Sequence, residues 1–167
     1  NSLYAINSRG KYESAVLFAC SELMLTLNKI ATDVIIFSSE HFGFLELSEE
    51  ICTGSSIMPH KKNPDVFELI RAKNAEMQSL LFHSLVNQNS LPSGYNRDAQ
   101  LGKKPLFEGL KNSIECVEIL NHVFPKIKVN KEKCEDAITE EMHSAEKAIE
   151  LAKKGVPFRE AYLKQKK

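Results

Sequence analysis

Apolar residues recur at mixed three- and four-residue steps from Lys11 to Ser39: Val16, Ala19, Cys20, Leu23, Met24, Leu27, Ile30, Ala31, Val34 and Ile35. That period predicts a helix. Neither Gly nor Pro interrupts it, so the helix can extend ~40 Å at 1.5 Å per residue. Its apolar stripe is wider than one neighbour can cover, which points to burial against several helices, including helices of other subunits. His41-Phe42-Gly43 ends the pattern, and Phe44-Leu45-Glu46-Leu47 reads as briefly extended. A second helix is expected from Asn63-Pro64-Asp65 to about Asn89. Asn63 is its N-cap, Pro64 its first helical residue, and Asp65 lies in the electropositive first turn. Val66, Leu69, Ile70, Met77, Leu80, Leu81 and Leu85 form its stripe.

Leu91-Pro92-Ser93-Gly94 signals a turn, followed by a polar loop up to Lys104. A third helix is expected from Pro105 to Phe124, on Leu106, Phe107, Leu110, Ile114, Val117 and Leu120, with Pro125 closing it. Beyond it the texture changes to short helical pieces, Lys131–Ala137, Ser144–Lys154 and Phe158–Lys164, the last two split by Gly155-Val156-Pro157. The expected organisation is an all-α central bundle over residues 1–125 and the start of a small helical domain over 126–167.

Composition narrows the class. Lys+Arg and Asp+Glu both number 22, so the chain lacks the basic excess usual in nucleic-acid and membrane-surface binders. Val34 to Phe37 is too short an apolar run to span a bilayer, which takes ~20 residues. Cys20, Cys52, Cys116 and Cys134 form no CxxC pair, which favours reduced thiols in a cytoplasmic protein over a disulfide framework or zinc site. His41, His83, His122 and His143 have no metal-ligand spacing, and the sequence has neither a phosphate-binding glycine loop nor a dinucleotide fingerprint. No metal or cofactor is expected. The opening lacks an initiator Met and reads as an excised piece of a longer chain.

Chemistry concentrates in Thr53-Gly54-Ser55-Ser56-Ile57-Met58-Pro59-His60-Lys61-Lys62-Asn63-Pro64-Asp65. A Gly- and Ser-containing loop here runs into a helix N-terminus, whose free N–H groups and partial positive charge suit a carboxylate. Two lysines strengthen the site for an anion, and a serine hydroxyl can exchange protons where positive charge stabilises its oxyanion. Each feature has an ordinary counterpart: a plain loop, a solvated lysine pair, an N-cap at Asn63, and an ion pair between Glu68 and Arg71.

The run Gly-Ser-Ser-Ile-Met-Pro-x-Lys-x-Asn-Pro resembles the signature loop of the fumarase/aspartase superfamily. Lys61-Lys62-Asn63-Pro64-Asp65, Leu91-Pro92-Ser93-Gly94-Tyr95-Asn96-Arg97-Asp98 with Gln100, Phe42-Gly43-Phe44, and Gly155-Val156-Pro157-Phe158-Arg159-Glu160-Ala161 are similar to its argininosuccinate lyase branch. The resemblance covers nearly the whole chain in order and spacing. Two positions depart from the branch: Tyr4 and Gly10 stand where Asp is usual.

The resemblance implies a long-helix bundle and β-elimination of fumarate from argininosuccinate, through an aci-carboxylate. It implies Ser55 as the base, Lys61 and Asn63 as holders of the carboxylate, and Glu68 as partner of a His from another subunit. Tyr95, Gln100 and Lys103 match positions that contact substrate. It further implies a homotetramer in the complete enzyme, a small-molecule substrate, no nucleic acid or membrane partner, and a general-acid His upstream of Asn1, so that residues 1–167 alone are inert. Two other readings stay open: another fumarate-releasing lyase, such as one acting on adenylosuccinate, and a non-catalytic relative of the lens-crystallin kind.

Overall fold

A computed structural model describes residues 1–54, 56–58 and 61–165. The chain divides into two compact units, Asn1–Val129 and Asn130–Lys167. In the first unit a short helix α1 (Ser2–Asn7) precedes three long ones: α2 (Lys11–Phe37), α3 (Asp65–Val86) and α4 (Lys103–Val123). The long helices pack pairwise on one another. α3 runs antiparallel to α2, since Gln88 beyond its C-terminus meets Gly10 before α2, and to α4, since Lys73 reaches Glu115 while Met77 lies against Gly109.

The core is the inner seam of these helices: Leu17, Met24, Leu27, Ala31 and Val34 of α2, Phe67, Ile70 and Met77 of α3, and Cys116, Leu120 and Val123 of α4, with Ile51 from the connection. The tightest approach is at Gly109. A Cβ there would collide with the Leu17 side chain and lie 3.0 Å from Met77 Cε. Side chains with no room for a methyl group bring α4 against both partners, so a glycine in mid-helix is retained despite its poor propensity. Asn112, almost fully buried, accepts from Lys73 Nζ at 2.8 Å and donates to Glu76 Oε2 at 2.9 Å. A satisfied buried amide of this kind fixes the register of α3 against α4.

By length and composition α2, with an 18-residue stretch of mean hydropathy 1.3, is the one helix among the described residues that could cross a bilayer. Its seam is already packed on α3 and α4. Large apolar side chains remain exposed around the bundle, including Phe18 and Leu23 on α2, Leu69 and Phe82 on α3, and Phe107 and Ile114 on α4. Three helices therefore bury only the inner part of the wide stripes in the sequence.

Strand β1 (Leu45–Leu47) pairs antiparallel with β2 (Ile127–Val129), in the register Leu45 to Val129 and Leu47 to Ile127. The sequence suggested the first strand and missed the second. Leu45, Leu47 and Ile127 pack on the bundle core, and Lys126 Nζ lies 2.8 Å from Glu50 Oε2. These contacts group residues 126–129 with the first unit.

The second unit holds α5 (Lys131–Asp136), α6 (Ser144–Lys153) and α7 (Phe158–Gln165). Asn130 Oδ1 caps α5 by accepting from Lys133 N at 3.2 Å. Gly155, at φ +92°, turns the chain between α6 and α7, which pack together with Ala148 and Ala161 buried.

Candidate active site

The segment from Thr53 to Asp65 is a loop closed at its neck. Thr53 and Asn63 form an isolated antiparallel bridge, with Thr53 N donating to Asn63 O at 3.1 Å and Asn63 N to Thr53 O at 2.8 Å. Thr53 Oγ1 donates to Asp65 Oδ2 at 2.5 Å, and Asn63 Nδ2 to Gly54 O at 3.3 Å. Backbone and side chains together thus pin both ends of the loop to the first residue of α3, where unpaired N–H groups collect.

This arrangement corrects the expected cap. Pro64, not Asn63, occupies the N-cap position, and the helix begins at Asp65. Asn63 cannot cap because its backbone is engaged in the bridge and its side-chain amide donates back to the loop. Pro64, at φ −82° and ψ 52°, makes the bend between bridge and helix.

Lys61 is exposed, and its N–H donates to Met58 O at 3.1 Å. Lys62 Nζ lies 3.4 Å from Glu49 Oε1, leaving Lys61 as the lysine of the pair without an ion-pair partner among the described residues. Glu68 is exposed on the first turns of α3 and makes no ion pair with Arg71 among the described residues. Ser55 and His60 lie outside the described residues. Just before the loop, burial pushes the Cys52 thiol up, with Lys62 pulling weakly the other way, so this sulfur stays a neutral thiol.

Tyr95, Gln100 and Lys103 are all exposed at the other end of the bundle. The expected open loop is partly ordered here as a 3-10 turn over Arg97–Gly102, and α4 begins at Lys103 rather than Pro105. Asn87 Nδ2 donates to Asp98 O at 3.0 Å, tying this turn to the end of α3. A cleft of about 350 Å³ lies beside it, lined by residues that include Asn7, Arg9, Lys11, Leu91, Gly94 and Asn96.

The two groups of candidate residues do not meet within one copy. Lys61, Asn63 and Glu68 stand at the N-terminal end of α3, while Tyr95, Gln100 and Lys103 follow its C-terminal end. The 22 residues of α3 separate them by roughly 33 Å.

The family model described as Lyase matches residues 1–78, which contain the closed loop. Over 162 residues the chain is 45% identical to argininosuccinate lyase of Thermotoga neapolitana, covering 97% of this chain and 41% of that protein. The argininosuccinate lyases of Phocaeicola vulgatus and Bacteroides fragilis are 44% and 46% identical, over 98% of this chain and 37% of theirs. The chain is homologous to part of argininosuccinate lyase.

It spans about two fifths of the length of these relatives. Among solved structures, a variant of EDDS lyase with bound fumarate superposes with TM-score 0.66 at 19% identity, over 87% of this chain and 29% of that one. EDDS lyase in complex with formate gives the same TM-score at 20% identity. These likenesses show the fold, a bundle of long helices.

Against the argininosuccinate lyase background, the glycine at position 10 has a local explanation. Gly10 lies at φ +86°, and a Cβ would stand 2.7 Å from Gln88 Cδ and Cγ. The Gln88 side chain fills that space, and its Nε2, with two protons to give, lies 3.0 Å from Gly10 O, 2.7 Å from Ser14 Oγ and 2.9 Å from Ser84 O, while Ser14 and Ser84 share a buried hydroxyl pair at 2.9 Å. Sequence reasoning missed this clasp because its members lie more than seventy residues apart. It also missed Asn7 and Arg9, whose only signal was a polar break, Asn7 to Gly10, between two helical stretches. Among the described residues no cluster of His, Cys, Asp and Glu could hold a metal ion.

Proposed function

We propose that this chain supplies the base-bearing loop and one substrate-binding segment of a carbon–nitrogen lyase that splits argininosuccinate into arginine and fumarate. The observation that carries the reading is the loop itself: a signature run, pinned at its neck to a helix start, in a chain 45% identical to a curated argininosuccinate lyase. In this reading Ser55, as an oxyanion, takes the proton from the carbon beside one succinyl carboxylate. The electron pair moves into that carboxylate to give the aci-form, returns to form the carbon–carbon double bond, and expels the guanidinium nitrogen, which a general acid protonates. The step that needs stabilisation is the second negative charge on the carboxylate, which Lys61 and Asn63 answer with a cation and an amide donor beside the α3 N-terminus.

Glu68 orients the acid contributed by another copy, and Tyr95, Gln100 and Lys103 bind the remainder of the substrate. The ~33 Å between the two groups supports a site built from more than one copy, as does the apolar surface left on all three long helices. A homotetramer is the assembly we assign. The four free thiols support a cytoplasmic setting, and arginine biosynthesis follows from the reaction. The isolated 167-residue chain, lacking partner groups for the leaving nitrogen, is inert in this reading.

The test is Ser55→Ala in a full-length lyase carrying this chain, followed by fumarate absorbance with argininosuccinate and adenylosuccinate in parallel. Loss of kcat with KM retained supports Ser55 as the base, since a base acts in the transition state. Turnover of adenylosuccinate alone, no turnover of either, or a dead Ser56→Ala beside an active Ser55→Ala would each overturn the reading.

A further inference from the structure

We infer that Arg9 and Asn7 are positioning residues for Tyr95, setting the segment that binds the non-reacting part of the substrate. The proposal rests on the reading above, in which Tyr95 contacts substrate. Its own basis is geometric. The Arg9 guanidinium carbon lies 4.9 Å from the centroid of the Tyr95 ring, within the range of a cation–π contact. Asn7 Oδ1 accepts from Gly94 N at 2.8 Å, holding the residue immediately before Tyr95.

Apart from the Asn87–Asp98 bond further along the loop, few other ties hold this segment. Tyr95 is 58% exposed and does not belong to the hydrophobic core. Gly94 sits at φ +104°, and an added Cβ there would meet nothing within 4 Å, so packing does not restrict it. The internal ties come from Asn96, whose Nδ2 donates to Pro92 O at 2.9 Å and Gly94 O at 3.5 Å. Those bonds shape the turn but do not orient it on the bundle. Asn7 and Arg9 do, from the fixed turn between α1 and α2.

That turn is itself anchored. Gly10 N donates to Glu13 Oε2 at 2.9 Å, and Gly10 O accepts from Gln88 at 3.0 Å. The chain from the α3 end through Gln88 to Gly10, Arg9 and Tyr95 is therefore continuous. An aromatic ring that must lie flat against a cation has one of its faces committed, which leaves its edge and hydroxyl for a ligand. A positioned ring loses less conformational freedom on binding, so its contribution appears in substrate affinity.

The experiment is a double-mutant cycle in a full-length lyase carrying this chain, with Arg9→Gln, Arg9→Lys, Tyr95→Leu and the pair Arg9→Gln/Tyr95→Leu. Arg9→Gln is expected to raise KM roughly two- to fivefold with kcat unchanged, the size of an exposed cation–π contact. Arg9→Lys, which keeps a cation over the ring, recovers part of the loss. In the Tyr95→Leu background Arg9→Gln adds nothing. A parallel exchange measurement on Asn7→Ala is expected to show faster exchange of the Gly94 amide and a KM increase. If Tyr95→Leu raises KM while Arg9→Gln does not, or if the two penalties simply add, the positioning role is overturned and the site reading stands. If Tyr95→Leu leaves KM unchanged, the site reading fails at Tyr95 and the positioning role falls with it.

Discussion

Complementation between two dead variants tests how the site is assembled. In a full-length lyase carrying this chain, Lys61→Ala removes the cation at one end of α3 and Lys103→Ala the cation past the other end. Helix α3 has 22 residues and a rise of ~1.5 Å each, so the two positions are ~33 Å apart in one copy. No side-chain motion closes that distance, so in the proposed reading each working site takes its two ends from different copies. When the variants are mixed and assemble at random, each site has an even chance of an intact loop and, independently, an even chance of an intact Lys103. About a quarter of the sites are then whole, against none if each copy held a complete site.

The assay is fumarate release after co-expression or joint refolding at equal amounts, beside each variant alone. Recovery near a quarter of the parent rate, with the parent KM, is the expected result. Mixing Lys61→Ala with Glu68→Gln provides the control, because both damage the same end and no mixture rebuilds it. A Lys61→Ala and Lys103→Ala mixture no more active than its components, with mixed oligomers demonstrated, would refute the reasoning.

Gly109→Ala removes a poor helix former, worth about 1 kcal/mol in its favour, but the new methyl group meets buried Leu17 and Met77. Overpacking of this kind costs about 1–3 kcal/mol, so a lower urea midpoint is expected, and an unchanged or higher one would show that the two side chains yield. Gln88→Ala empties the space over Gly10 and strips partners from Ser14 and Gly10, with an expected loss of about 1–3 kcal/mol in the same melt. Burial pushes the Cys116 thiol up, so in a thiol titration of the folded protein Cys116 should react last and release fully only on unfolding. Glu50 is held below its ordinary value, first by its hydrogen bond to Lys126. With the folded pKa depressed, its contribution is present above the ordinary carboxylate value and lost as pH falls through the folded one. Glu50→Gln should therefore flatten that acid limb and change little at lower pH, as followed by melting temperature against pH.

Much of the molecule was legible in one dimension. The stripe from Val16 to Val34, the absence of Gly and Pro across it, and the punctuation at Gly43, Pro92 and Pro125 sufficed for three long helices, because helix periodicity is a local property. The run from Gly54 to Pro64 stood out as the candidate for chemistry for a similar reason: its residue types and spacing are contiguous. Local signals failed where long-range contacts competed. Asn63 has the composition of an N-cap, but its pairing with Thr53 moved the cap to Pro64. Ile127 to Val129 became a strand because Leu45 to Leu47 offered a partner eighty or more residues earlier, which no window of sequence contains.

The site shows the division most clearly. The sequence determined which side chains could hold a carboxylate, take a proton and bind a small anion. Only the tertiary structure decided that Lys61 and Lys103 stand at opposite ends of one helix, and that Arg9 and Asn7 lie against the segment carrying Tyr95. Chemistry belongs to the residue and is written in its identity; proximity belongs to the packing of helices whose length and direction sum over the whole chain.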